Sequence, residues 1–162
     1  IHPVDIYAAP AAARVVGKDY DYAFEEEKYR GAPDIRLHEI DVARPLEIAG
    51  ERIVPVSGHH SERFEVTGYR IGRMAYLTDF KTIADAEVGK LIGVELLVVN
   101  ALRFRPHPSH FNVEEALALI ARVAPRRALI THVSHEIGRH AATTALLPRG
   151  VELAYDGLEI II

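Results

Sequence analysis

The sequence predicts a layered α/β protein. Three observations carry this. Residues 35–78 alternate apolar and polar side chains with a period of two, broken by short glycine-bearing turns. From residue 83 onward the period changes, and short apolar runs alternate with stretches of helical spacing. The composition, 49% hydrophobic and 26% charged over 162 residues, fills the core of one domain, here read as residues 1–162.

Taken in order, residues 4–8 read as a strand. Pro10 sits where a first helical turn tolerates it, so residues 11–16 read as a short helix closed by Gly17. Residues 18–34 are polar and tyrosine-bearing, a surface excursion whose acidic run Glu25-Glu26-Glu27 reads as a solvated face. Residues 35–40 alternate as a strand, 46–48 and 52–56 form a hairpin across Ala49-Gly50-Glu51, and 66–71 pairs with 74–78 through Gly72-Arg73.

A modest helix follows over 83–91, then an apolar run over 94–99 typical of a buried strand. Asn112 is a good N-cap, and Glu115 three residues on completes a capping box. Val113, Ala116, Leu117, Ile120, Val123 and Ala124 then share one helical face, ended by Pro125. A strand over 127–131, a helix over 136–147 weakened by Gly138, and a hairpin of 151–154 with 158–162 over Asp156-Gly157 close the chain.

Net charge −4 and a pI near 6.1 give no basic footprint, so nucleic acid is disfavoured as a partner. With no cysteine, disulfide scaffolds, zinc fingers and thiol nucleophiles are excluded together. No apolar run approaches the roughly 20 residues that span a bilayer, and a cytoplasmic location is the default expectation. The opening Ile1-His2-Pro3 has no methionine and no signal-peptide pattern, and reads like a strand joined midway through a protein.

Nine histidines stand out, seven of them in three groups: His59/His60, His107/His110 and His132/His135/His140. Without thiols, imidazole and carboxylate are the strong metal ligands available. His59/His60 follow the strand over 52–56, Asp79 follows 74–78, and His132 follows 127–131. In layered α/β proteins, sites gather beyond the carboxyl ends of strands. A strand-terminal aspartate is also a common turn former, and a single histidine there is often an ordinary surface residue. Three such placements together favour a metal site. The loop Arg103-Phe104-Arg105-Pro106-His107-Pro108-Ser109-His110 is cationic and lies before a capped helix, where an anion is favoured; a loop that only shapes the connection is the alternative.

Gly68-Tyr69-Arg70-Ile71-Gly72, Ala75-Tyr76-Leu77-Thr78-Asp79, His107-Pro108-Ser109-His110-Phe111, Leu129-Ile130-Thr131-His132-Val133-Ser134-His135 and Ala154-Tyr155-Asp156-Gly157-Leu158 together resemble the metallo-β-lactamase-fold hydrolases. The branch they are most similar to is that of the PhnP-like phosphodiesterases, which cleave a ribosyl cyclic phosphate. The resemblance implies an αββα sandwich, of which this chain would hold the second half and part of the first. It implies two divalent ions, zinc or manganese, and a hydroxide bridging them.

By position, Asp79 resembles the aspartate that bridges the ions and His132 a ligand of one of them. The resemblance favours His60 over His59 as a further ligand, because the family pattern matches a histidine five positions after Pro55 and directly before Ser61; His59 is the alternative. His110 resembles a proton donor beside the leaving group. His135, His59 and His107 would flank the ligands, and Arg103 and Arg105 would meet substrate phosphate. The family's His-x-His-x-Asp-His motif is absent from the 162 residues, so the resemblance implies an N-terminally incomplete hydrolase whose metal complement is partial or missing. Pairing with another copy or with an upstream segment is then expected, through an open sheet edge and uncovered apolar surface. The partner expected is a small phosphodiester, with no membrane. The alternatives are a nucleic-acid-processing hydrolase of the same fold and a metal-poor binding scaffold.

Overall fold

The first alternating segments form a parallel pair, β1 (Val4–Ala8) and β2 (Ile35–Glu39), in register from Val4–Ile35 to Ala8–Glu39. The protein is described by a computed structural model over residues 3–25 and 27–162. Ile1, His2 and Glu26 lie outside the described residues, and with them the expectation for the chain start; that for the acidic run is met at Glu25 and Glu27, both exposed. The chain divides into two compact units, Ile1–Arg44 and Pro45–Ile162.

In the first unit, α1 (Pro10–Asp19) begins on its proline and buries Ala13. It runs through Gly17, against expectation, because that glycine keeps negative φ and a helical glycine costs only about 1 kcal/mol. The helix stops where Tyr20 leaves helical geometry (ψ 34°). A 3-10 turn at Asp21–Ala23 then buries Ala23 completely.

The second unit holds a seven-stranded sheet in chain order: β3 (Leu46–Ile48), β4 (Glu51–Ser61), β5 (Phe64–Ile71), β6 (Met74–Leu77), β7 (Leu96–Asn100), β8 (Arg127–Thr131) and β9 (Val151–Leu153). β3 to β6 pair antiparallel, and β6 to β9 pair parallel. The first hairpin turns on Ala49 and Gly50, at φ 53° and 83°, the positive pair that a two-residue loop requires. Two antiparallel steps give β4 the direction of β6, so the carboxyl ends of β4, β6, β7 and β8 lie at one end of the sheet.

Helices α2 (Asp85–Gly89), α3 (Val113–Val123) and α4 (His140–Thr144) lie in the connections of the parallel part. The capping box is present: Asn112 Oδ1 accepts from Glu115 N at 2.8 Å, and Glu115 Oε2 accepts from Asn112 N at 2.8 Å. The buried face of α3 carries Val113, Ala116, Leu119, Ile120 and Val123; Leu117, assigned to that face from spacing, is only half-buried at its margin, and the left-handed Ala124 (φ 51°) ends the helix.

Three further expectations are corrected. The helix over 83–91 contracts to the single turn of α2. The helix over 136–147 is split into a 3-10 turn, His135–Ile137, and α4, because Gly138 adopts φ 94° between them. The terminal hairpin does not form: β9 pairs parallel with β8, and residues 158–162 form no strand. One sheet face packs Val56, Leu77, Leu97, Val99 and Ile130 against α3. On the other face Leu96, Val98 and Leu129 are buried under Met74, Ala154, Leu158 and Ile160. Among the described residues, no helix is long and apolar enough to cross a membrane.

Candidate metal centre

Contrary to expectation, His59 and His60 do not follow their strand; they lie within the carboxyl-terminal part of β4, which extends to Ser61. The pleat separates them. His60 falls on the side of Val56 and Gly58, and His59 on the opposite, exposed side beside Glu65. The backbone of His59 joins the strand to the segment after β6: its N–H donates to Thr82 O at 3.0 Å, and its carbonyl accepts from Lys81 N at 2.7 Å. Gly58 makes this approach possible. A Cβ there would strike the ring of Phe80 and come within 2.8 Å of Thr82 O.

Asp79 stands two residues beyond β6 with φ 63°, a conformation costing roughly 1–3 kcal/mol for a residue with a side chain. The next residue holds it in place. Phe80 N donates to Asn100 Oδ1 at 2.8 Å, and Asn100 Nδ2 donates to Phe80 O at 2.9 Å. Phe80 O also accepts from Phe111 N at 2.8 Å, which brings the residue after His110 beside the residue after Asp79. His132 directly follows β8, also left-handed at φ 57°.

These elements gather four side chains. His132 Nε2 lies 3.3 Å and His110 Nδ1 3.7 Å from the same oxygen, Asp79 Oδ1. The rings of His60 and His132 lie 4.5 and 4.8 Å from that of His110. Donor atoms of His60, Asp79 and His110 all fall within 4.8 Å of one another. Asp79 and His132 are open to solvent, whereas the His110 side chain is only 12% exposed.

The donor set fits a divalent ion. His60 Nδ1 donates to the Asp79 carbonyl at 3.1 Å, which leaves Nε2 as the free lone pair of the neutral ring, the arrangement metal-bound histidines use. His110 Nδ1 is buried and has no hydrogen-bond partner, a position that costs stability unless something fills it. Burial, then the charges of His60 and His132, push the His110 pKa down, with Asp79 pulling the other way. Burial and the charges of Arg103, Lys81 and His60 likewise lower that of His107. Both shifts favour neutral imidazole, the form that binds metal.

The other proposed residues distribute around this cluster. His107 lies 5.1 Å from His110, ring to ring, and its Nδ1 accepts from Ser109 N at 3.3 Å. His135 is exposed at the start of its 3-10 turn and makes no hydrogen bond to His132. Arg103 and Arg105 do not stand free for phosphate: both bind Glu136, at 3.1 and 2.7 Å, and Arg103 also donates to Pro106 O. Sequence reasoning missed Glu136, Asn100 and Lys81. Asn100 carried a signal, a lone amide ending an otherwise apolar strand, whereas nothing local marks Glu136 as the partner of arginines more than thirty residues away.

Residues 1–133 match the sequence model of a family described as beta-lactamase superfamily domain. The chain is 34% identical over 158 residues to a protein named octanoyltransferase from Porphyromonas gingivalis (strain ATCC BAA-308 / W83), covering 97% of this chain and 32% of that protein. It is also 34% identical to a diphosphatase from the PhnP family, whose crystal structure superposes with a TM-score of 0.86 over 96% of this chain and 56% of that one. Zn2+-bound PqqB from Methylobacterium extorquens superposes with a TM-score of 0.72 at 15% identity, covering 99% and 66% of the two chains, a likeness of fold alone. The chain therefore spans about a third of the first relative and little more than half of the second.

Proposed function

The chain belongs to the beta-lactamase superfamily domain family, with the metallo-β-lactamase fold, and from that membership we propose that it carries part of the centre of a metal-dependent phosphodiesterase. The observation that carries this reading is the convergence of three imidazoles on one carboxylate, two of them facing Asp79 Oδ1, with His110 Nδ1 buried and unpartnered. His60, Asp79 and His132 would hold divalent zinc or manganese. When bound, such ions lower the pKa of water from 15.7 to about 7 and neutralise charge on phosphate oxygens. The likeness to a diphosphatase supports phosphorus–oxygen cleavage as the reaction class.

In this reading a water oxygen forms the new bond to phosphorus while the bond to the leaving oxygen breaks. His110 passes a proton to that leaving oxygen and recovers one from solvent. Proton transfer of this kind contributes about 10²–10⁴-fold. A second reading of His110 rests on its donor atom lying within 4.8 Å of those of His60 and Asp79, which makes it a ligand instead. Three histidines and one carboxylate do not fill two metal shells, so the chain alone is expected to bind ions weakly and to turn over little.

The test is to load the purified chain with Zn2+ or Mn2+ and measure metal content and hydrolysis of a chromogenic phosphodiester, with single-stranded DNA as competitor. Metal bound through Asp79 and hydrolysis unaffected by DNA are expected. Strong DNA competition favours the nucleic-acid-processing alternative, and absence of metal binding favours the scaffold.

A further inference from the structure

We propose that Asn100 is a positioning residue: its buried amide holds the Phe80 peptide and thereby sets the Asp79 carboxylate and the His110 ring at the spacing that binds a divalent ion. The inference rests on the metal reading above. Asn100 is fully buried and ends β7, whose other four residues are apolar. A primary amide in such a place is costly unless both its ends are paired. Both ends are spent on one peptide unit, Oδ1 on Phe80 N and Nδ2 on Phe80 O, at 2.8 and 2.9 Å.

That pattern continues the sheet after the sheet has stopped. The β6–β7 ladder ends at Leu77–Val99, and the next residue of β7 uses its side chain to bind the chain three residues past β6. The peptide so held lies between the left-handed Asp79 and the rest of its loop, where strained backbone relaxes unless the surroundings fix it. The same Phe80 carbonyl accepts from Phe111 N, so one amide fixes the residues that follow both Asp79 and His110. Asn100 touches neither of those side chains among the described hydrogen bonds and acts through Phe80.

The experiment compares wild type with Asn100→Leu and Asn100→Asp, the second retaining an acceptor for Phe80 N if the first fails to fold. Zn2+ or Mn2+ alone is titrated into the full chain, and hydrogen exchange of the Phe80 amide is read beside it. Leu119→Ala, on the buried face of α3, serves as a destabilising control. Expected are an affinity about 10–100-fold weaker in both Asn100 variants, faster exchange at Phe80, and unchanged affinity in Leu119→Ala at a comparable loss of melting temperature. Wild-type affinity and wild-type Phe80 protection in the Asn100 variants would overturn the proposal, as would an equal loss in Leu119→Ala. If Asp79→Asn binds ions as well as wild type, the metal reading is what fails, and Phe80 exchange then decides separately whether Asn100 holds the peptide.

Discussion

The turns after β6 and β8 solve the same problem in different ways. Each places a site residue with a side chain in the left-handed region, Asp79 at φ 63° and His132 at φ 57°. The first turn is fastened from inside, by the buried Asn100 amide and by the Phe80 ring lying over Gly58 and Gly68. The second is fastened from the rim. Thirty or so residues separate its partners, yet the bonds are backbone ones: Ala101 N to Thr131 O at 3.1 Å and Ser134 N to Leu102 O at 2.8 Å, with the Glu136 ion pairs outside them. Both turns hang on three consecutive residues, 100–102, at and just past the end of β7. The difference leads to the expectation that the carboxylate shared by the histidines is the more firmly held member of the site and His132 the less.

This contrast is open to direct attack. Asp79→Asn keeps the size and the left-handed tolerance of the residue while removing its charge. It should weaken metal binding by more than the roughly 10–100-fold that loss of a ligand's supporting partner costs, with the circular dichroism spectrum unchanged. His132→Asn, measured the same way, should lose less; an equal or larger loss would reverse the ranking of the two turns.

His110 sits between them. In a form of the protein supplied with an upstream His-x-His-x-Asp-His segment and loaded with metal, His110→Ala should lower kcat by about 10²–10⁴-fold with a smaller change in metal content. A proportional loss of metal, with turnover per bound ion retained, would make it a ligand. The helix α3 connects β7 to β8 and packs its buried face in the core against the sheet. Leu119→Ala should cost about 2–5 kcal/mol in denaturant unfolding, and Leu117→Ala clearly less, because only Leu119 is fully enclosed.

The smallest effect belongs to the rim. Hydrogen bonds from Arg105, and then the arginine charges, hold the Glu136 carboxyl below its ordinary range. A carboxylate with a depressed folded pKa contributes stability at neutral pH that is lost as pH falls through the lowered value. Glu136→Gln should therefore flatten the acid limb of the stability curve and shift neutral-pH stability little, since exposed pairs are screened. A large loss at neutral pH would show the second turn to be as firmly held as the first.

Much of this was readable in residue order because the deciding signals are local. The Asn112–Glu115 capping box, the Ala49-Gly50 turn, the bounds of β8 and the position of Asp79 and His132 just past strands each depend on a few neighbouring residues. The choice between His59 and His60 is different. The resemblance favoured His60, but which of two adjacent side chains faces Asp79 is set by the pairing of β4 on β5, whose register shifts between His59 and Ser61. The same holds for the ends of the chain's elements. Gly17 passes through a helix while Gly138 breaks one, since the backbone angle each adopts comes from its surroundings. The final segment packs over Leu96 and Leu129 instead of pairing with β9, because the apolar side chains on that face of the sheet are buried by it. Asn100 with Phe80 and Glu136 with the two arginines join residues twenty to thirty-three positions apart. The sequence by itself determined where the chain turns, caps and carries imidazole and carboxylate, because those follow from short-range backbone preference; only the tertiary structure decided which of those groups meet, because burial and strand register are properties of segments distant in sequence.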